Sequence, residues 1–417
     1  MLGLHLPVDQ RGCFVIIGGH GFLKERQIPI APRRRGGGKK KGAGKRREEK
    51  EFFFYLILFI ANKMQVPRIS AKRVTDPFFI LAEAPFYDPN NGLLYFVDIL
   101  GCSLYVTEFE KLTTNSGGSL GACFNFGKFC SAAVPLKSGK ELILALKDGI
   151  YAASFSGHEG EFKNQISNPN PNPKIPAYLR LSLLVDPELG RNRNNPSLNM
   201  RYNDGKANGK EFFVGSMDFD CEPCAGALHC VSVERGADGK PEVASSKCAI
   251  EGTTISNGLV WSSDGQKMYY VDSPLRRIDC FDVARGSQGE YLGLENRRSV
   301  FSIPADLDFA GSSVPDGMAI DSQDKLWVAF FNGSRVCRID PENGQILLRV
   351  DLEGALNVTA CAFAGQNLDQ LVITTAKEKM SDEMIRAYPN SGCLFVCDLS
   401  EYFCSVGARG RPFDQLF

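Results

Sequence analysis

The feature that most constrains this chain is a unit that returns six times between residues 92 and 399. Each copy has a short apolar strand, a turn, and a second strand that alternates apolar and polar residues. The copies are GLLYFVDILGCSLYVTEF (92–109), KELILALKDGIYAASF (140–155), KEFFVGSMDFD with GALHCVSVE (210–234), QKMYYVDSPLRRIDCFDV (266–283), DKLWVAFFNGSRVCRID (324–340) and DQLVITTAK with GCLFVCDL (369–399). Period-two alternation rich in Val, Ile, Tyr and Phe specifies strands. Tyr95, Leu144, Phe213, Tyr269, Trp327 and Val372 mark equivalent positions, roughly 45–70 residues apart, the scale of one propeller blade or slightly longer. Asp-Gly at 148–149 and 264–265, and Asn-Gly at 332–333 and 343–344, supply hairpin turns. No long stretch has helical periodicity. Six units of three or four strands each predict an all-β chain, a six-bladed β-propeller closed so that few strand edges stay exposed. A pair of β-sandwiches is the alternative, and the regular repeat argues against it.

Two stretches fall outside the repeat. Residues 157–198 contain NQISNPNPNPKIP and GRNRNNPSLN and read as a long surface-loop insertion between blades two and three. Residues 33–47, RRRGGGKKKGAGKRR, offer nothing to bury and are expected to be disordered. The apolar run Phe52–Ala61 has ten residues, too few for a bilayer span of about 20. It also lies too far from Met1 for a signal-peptide core. The domain division is therefore 1–63, a basic and apolar extension, and 64–417, the propeller. A start at Met64 would explain the break in composition, so the extension is expected to be disordered or absent from the mature protein. Its basic run leaves nuclear targeting or attraction to a membrane surface as alternatives.

The formal net charge of zero hides an asymmetry. Residues 1–63 carry 14 Lys/Arg and 5 Asp/Glu, which leaves 34 and 43 of the 48 each for the remainder. The body is therefore acidic, without the basic face that nucleic-acid binding needs, and it favours a cation. Of four histidines only His158 and His229 lie in the body, which argues against a multi-histidine zinc site. Fourteen cysteines at irregular spacing do not form a disulfide framework. Cys221-Glu-Pro-Cys224 with Cys230 suggests zinc or redox chemistry, but no second pair stands at zinc-ribbon spacing, and a hairpin loop is the simpler reading. A reducing, cytoplasmic setting follows, with no stable membrane anchor and a monomer as the expected state.

Four polar signatures precede blades: Leu-Ala-Glu83-Ala-Pro, Arg201-Tyr-Asn203-Asp204-Gly-Lys206, Ser256-Asn257-Gly258 and Pro315-Asp316-Gly317. Any one of these is a common turn sequence. Together they recur at one place in the repeat, roughly 10–15 residues ahead of each marker, and equivalent positions in successive blades converge on the propeller axis. A Glu, an Asn and an Asp meeting there offer hard oxygen ligands suited to Ca²⁺, Mg²⁺ or Mn²⁺, and less well to Zn²⁺. The glycines that follow are expected to let the chain turn sharply beside the channel.

ILAEAPFYDPNNGLLYFVDI, RYNDGKANGKEFFVGSM, ISNGLVWSSDGQKMYYVDS and VPDGMAIDSQDKLWVAFFNGSRVCRIDP resemble the senescence-marker-protein, gluconolactonase and luciferin-regenerating-enzyme family over about residues 77–400. The resemblance implies one divalent metal ion held by Glu83, Asn257 and Asp316. It implies substrate contacts from Arg201 and Asn203, and from Asp220 after Gly215-Ser216-Met217. Ala82 stands where the family usually has Gly, and the insertion stands where it could cover the mouth of the site.

The activity expected from these residues is metal-assisted hydrolysis of a small sugar-type lactone, gluconolactonase-like. Asp316 would be both ligand and general base, and no nucleophilic Ser, Cys or His is needed. The alternatives are a calcium-binding regulatory protein, a hydrolase of another ester, an organophosphate or a luciferin-related product, and a propeller that serves only as an interaction scaffold.

Overall fold

Every marker residue lies on the second strand of a separate sheet, and all six are buried. The computed structural model describes residues 66–76, 78–114, 120–156, 165–167, 175, 177–189, 197–304 and 311–416. The expectations for residues 1–63 lie outside them. The described strands form six sheets, each antiparallel through its first three strands, which run in sequence order from an inner strand outward. The inner strands are Ala82–Asp88, Cys130–Pro135, Met200–Asn208, Ser256–Trp261, Val314–Ile320 and Asn357–Ala364, in blades 1 to 6. Each packs against the inner strand of the next blade, and the sixth packs against the first, so the ring is closed. This is the six-bladed β-propeller.

Closure at the outer edge uses residues from before the first blade. Lys72–Arg73 pairs antiparallel with Phe395–Asp398 and supplies the fourth strand of blade 6. Arg68–Ser70 pairs parallel with Gln345–Asp351 and adds a fifth strand to blade 5. Two sheet edges that would otherwise face water are covered in this way.

The interior is apolar between blades. Phe79, Phe96 and Tyr105 pack edge-on and stacked at 5.1–5.2 Å beside blade 1. Trp327 of blade 5 meets Phe363 of blade 6 at 5.6 Å and Phe403 of the short helix Ser400–Val406 at 5.7 Å. Such aromatic pairs add to the gain from area burial. The Trp327 indole donates to Asp321 at 3.0 Å, and Arg338 donates to the same carboxylate oxygen at 2.7 Å. A fully buried carboxylate is thus satisfied on the same oxygen by two donors.

The Asn/Pro-rich stretch is not only loop. Tyr178–Val185 pairs with Gly149–Ser156, and Gln165–Ser167 pairs with Tyr178–Val185 in turn, extending blade 2 outward. YLRLSLLV alternates well enough to be a strand; its flanks of Asn and Pro conceal it. Cys221 and Cys224 fall in the turn between the second and third strands of blade 3. Among the described residues no cysteine is in a disulfide, and no helix is long and apolar enough to cross a membrane.

Candidate active site on the propeller axis

All six inner strands slip register against their neighbours at one level. The shifts fall between Glu83 and Phe86, Cys130 and Ala132, Tyr202 and Gly205, Ser256 and Leu259, Pro315 and Met318, and Val358 and Cys361. A bulge re-aims side chains that regular pairing would direct between the blades. Here it presents Ser131, Asn203, Asn257, Asp316 and Thr359 at one level, with Glu83 at the edge of its own bulge.

These residues link one blade to the next. Ser131 Oγ donates to the Tyr202 carbonyl at 2.6 Å, and Asn203 Nδ2 to the Ser256 carbonyl at 2.8 Å. Asn257 Nδ2 donates to Ser273 Oγ at 2.8 Å, which donates to the Pro315 carbonyl at 2.7 Å. Thr359 Oγ1 donates to the Ala82 carbonyl at 2.6 Å. Ser131, Asn203 and Thr359 directly, and Asn257 through Ser273, therefore tie the carbonyl just ahead of the next blade's bulge. The ring is interrupted at Glu83 and Asp316, the two carboxylates.

The glycines after Asn257 and Asp316 serve packing between blades rather than a sharp turn. A Cβ on Gly258 would stand 2.4 Å from the Asp316 carbonyl oxygen, and one on Gly317 would stand 2.6 Å from Ala360 Cβ. Backbone contact this close excludes any side chain, and it corrects the expectation of a turn.

Asn203 joins the two groups of site residues. Its Oδ1 accepts from Arg201 Nη1 at 2.7 Å, and its Nδ2 donates to Asn257 Oδ1 at 3.0 Å. Arg201 also donates to the Tyr202 carbonyl at 3.0 Å, while its buried Nε has no partner. Asp220 stands apart, exposed in the turn after Glu211–Asp218.

The electrostatics are those of a crowded acidic centre. Burial, with Asp204 and Glu378 nearby, raises the Glu83 carboxyl to about 8. Burial and the negative charges of Glu83, Asp204 and Glu378 hold Asp316 well above the usual carboxylate range. Burial also raises Asp204, and it lowers both Arg201 and Lys206. Four carboxylates thus face two cationic side chains. The buried Asp316 Oδ1 and Asp204 Oδ2 have no hydrogen-bond partner, which is costly unless something else satisfies them. Among the described residues no three His, Cys, Asp or Glu side chains converge as a metal cluster. The candidate set holds two carboxylates, and its third donor is the amide of Asn257. Hard oxygen donors with surplus negative charge fit one divalent cation of the Ca²⁺, Mg²⁺ or Mn²⁺ type.

The family model described as SMP-30/Gluconolactonase/LRE-like region matches residues 81–377, from just before Glu83 to just before Glu378. The chain belongs to this family. Regucalcin of Danio rerio is 37% identical over 223 residues, 52% of this chain and 66% of its own. Regucalcin of Homo sapiens is 34% identical over 207 residues, 48% and 63% of the two chains. The matched stretch thus spans just under two thirds of these regucalcins. YvrE of Bacillus subtilis, a proposed sugar lactone lactonase, is 29% identical over 322 residues, 77% of this chain and 91% of its own. Among solved structures, a luciferin-regenerating enzyme superposes with a TM-score of 0.62 at 26% identity, covering 81% of this chain and 95% of its own. A calcium-binding regucalcin from Agrobacterium tumefaciens gives a TM-score of 0.62 at 20% identity, covering 84% and 99%, a likeness of fold alone.

In this SMP-30/gluconolactonase-like chain, sequence reasoning missed Ser131, Thr359, Ser273, Lys206 and Glu378. A signal existed for two of them. The singled-out Glu83, Asn203, Asn257 and Asp316 lie 10 to 12 residues before their markers, and counting back 13 from Leu144 and Val372 reaches Ser131 and Thr359.

Proposed function

We propose that this protein is a metal-dependent lactonase acting on small sugar-type lactones, with Glu83, Asn257 and Asp316 as the cation's ligands. The observation that carries the reading is the Arg201–Asn203–Asn257 chain of hydrogen bonds, which joins a polar grip to the oxygen-donor set. A bound divalent cation would supply positive charge to the lactone carbonyl and its developing oxyanion. The unpartnered Asp316 Oδ1 takes the proton of the attacking water. The unpartnered Arg201 Nε–H, and the guanidinium around it, hold hydroxyls of the substrate and fix its orientation. Asp220, at the exposed lip, is the outermost contact. The family membership supports a hydrolase of this class, and YvrE supports the sugar-lactone assignment.

The test is hydrolysis of glucono-δ-lactone by the full chain, stripped of metal and then restored with Ca²⁺, Mg²⁺, Mn²⁺ or Zn²⁺. Metal-dependent turnover above the spontaneous rate is expected, and Asp316→Ala abolishes it. Tight Ca²⁺ binding with no turnover of any lactone would replace this reading with a regucalcin-type calcium-binding role.

A further inference from the structure

The side chain of Lys206 has no part in the chemistry above, yet it is buried on the same inner strand as Arg201 and Asn203. Its Nζ donates to the Met318 carbonyl. Lys206 belongs to blade 3 and Met318 to blade 5, so the bond skips blade 4 and spans part of the central channel. Met318 is also the residue at which blade 5 resumes regular pairing after the Asp316–Gly317 bulge.

The other side of the ammonium is closed by the C-terminal tail. Phe413 places its ring centroid 4.0 Å from Nζ, within cation–π range. The tail is pinned beneath the ring by bridges from Gly410 to Asp321, Asp414 to Ala207 and Leu416 to Leu136. Phe413 packs on Phe86 at 6.3 Å. The space left among Ala84, Gly205, Lys206 and Phe413 is about 10 Å³, no more than the minimum a single water requires. The negative charges of Asp204 and Glu83 offset part of the cost of burying the ammonium.

We infer that Lys206 is a positioning residue: its bond across the channel to the Met318 carbonyl locks the bulge that turns Asp316 toward the axis. The inference rests on the reading of Asp316 as a cation ligand, and its test separates the two. Lys206→Met keeps length and removes the donor. Phe413→Leu loosens the same floor and keeps the donor. In the metal-stripped full chain, Mn²⁺ affinity is measured by titration with paramagnetic resonance detection, beside thermal melting, kcat and KM for glucono-δ-lactone, and amide exchange at Gly317–Ala319.

K206M is expected to weaken Mn²⁺ binding at least tenfold, lower kcat, and change KM less than threefold. F413L is expected to lower the melting temperature and leave Mn²⁺ affinity within threefold. K206M that binds Mn²⁺ as tightly as wild type, or more tightly, overturns the proposal, because Lys206 would then only repel the cation. If wild type binds no Mn²⁺, the ligand assignment fails. Lys206 is then judged by exchange alone: faster exchange at Gly317–Ala319 in K206M supports the lock, and unchanged exchange overturns it. Should K206M not fold, Lys206→Leu, which also lacks a donor, is read by the same measurements against the same outcomes.

Discussion

Arg201 Nη1 donates to Asn203 Oδ1 at 2.7 Å, and the same Asn203 side chain holds Asn257 Oδ1 at 3.0 Å. One amide therefore orients both the Arg201 guanidinium and the Asn257 oxygen, the substrate side and the cation side of the proposed site. Asn203→Ala is expected to lower kcat/KM by about a hundredfold, or about 3 kcal/mol, and to weaken Mn²⁺ binding as well. Arg201→Ala is expected to raise KM with little effect on Mn²⁺. Steady-state kinetics and metal titration on both variants check this. Unchanged Mn²⁺ affinity in Asn203→Ala would show that Asn257 needs no such clamp.

The acidic centre makes the metal-free protein less stable as pH rises. Glu83 titrates at about 8 in the folded state against an ordinary 4.5, and Asp316 is shifted the same way. Below the ordinary value both carboxyls are protonated, folded or unfolded, and their contribution is fully present. Above it the unfolded chain gives up its protons first, so stability is lost until the folded-state value is passed. The melting temperature of stripped protein should therefore fall between about pH 4.5 and 8. Added Ca²⁺ should reverse the fall, because it binds only the folded site. Asp316→Asn should flatten the stripped profile. A stripped protein whose melting temperature rises over this range would contradict the account.

Gly258 and Gly265 separate two uses of glycine. A Cβ at 258 would stand 2.4 Å from the Asp316 carbonyl oxygen, whereas at 265, with φ +69°, it would meet nothing within 4 Å. Gly258→Ala must push apart the inner strands of blades 4 and 5, and should cost about 3 kcal/mol. Gly265→Ala strains only a turn, and should cost about 1 kcal/mol. Denaturant unfolding of both variants measures the difference. Loss of Mn²⁺ binding should accompany only the first.

The blade count was legible because Tyr95, Leu144, Phe213, Tyr269, Trp327 and Val372 carry the period of the fold in apolar residues, which burial constrains. The signatures at Glu83, Asn203, Asn257 and Asp316 were legible because carboxylates and amides beside glycine stand out in strand sequence. Ser131 and Thr359 do the same geometric work with small hydroxyls that any surface strand can carry. Lys206 was in plain view within RYNDGK, but its partner Met318 is brought near only by closure of the ring. Tyr178–Val185 was hidden by its flanks, since an alternating run among Asn and Pro reads as loop until a neighbouring strand pairs with it. Asp220, placed by counting an offset, is exposed in the turn that follows Glu211–Asp218.

Thr359 and Ser131 make the same kind of bond at different junctions, so their loss should be felt by different chemistry. Thr359 Oγ1 donates to the Ala82 carbonyl at 2.6 Å and contacts Thr374 Oγ1 at 2.7 Å, joining blade 6 to the strand of Glu83. Thr359→Val keeps the shape and leaves a buried carbonyl unpaired, at a cost of about 1–3 kcal/mol. Because Glu83 follows Ala82 directly, Mn²⁺ affinity should fall while KM changes little. Ser131 Oγ donates to the Tyr202 carbonyl at 2.6 Å, between Arg201 and Asn203. Ser131→Ala should cost less stability, because the Tyr202 carbonyl keeps its bond from Arg201 Nη1, and should raise KM and leave Mn²⁺ affinity nearly unchanged. Measuring Mn²⁺ affinity and KM on both variants tests the division of the ring into a cation side and a substrate side. Equal effects of the two variants on both quantities would mean that the ring responds as one rigid body, with no such division.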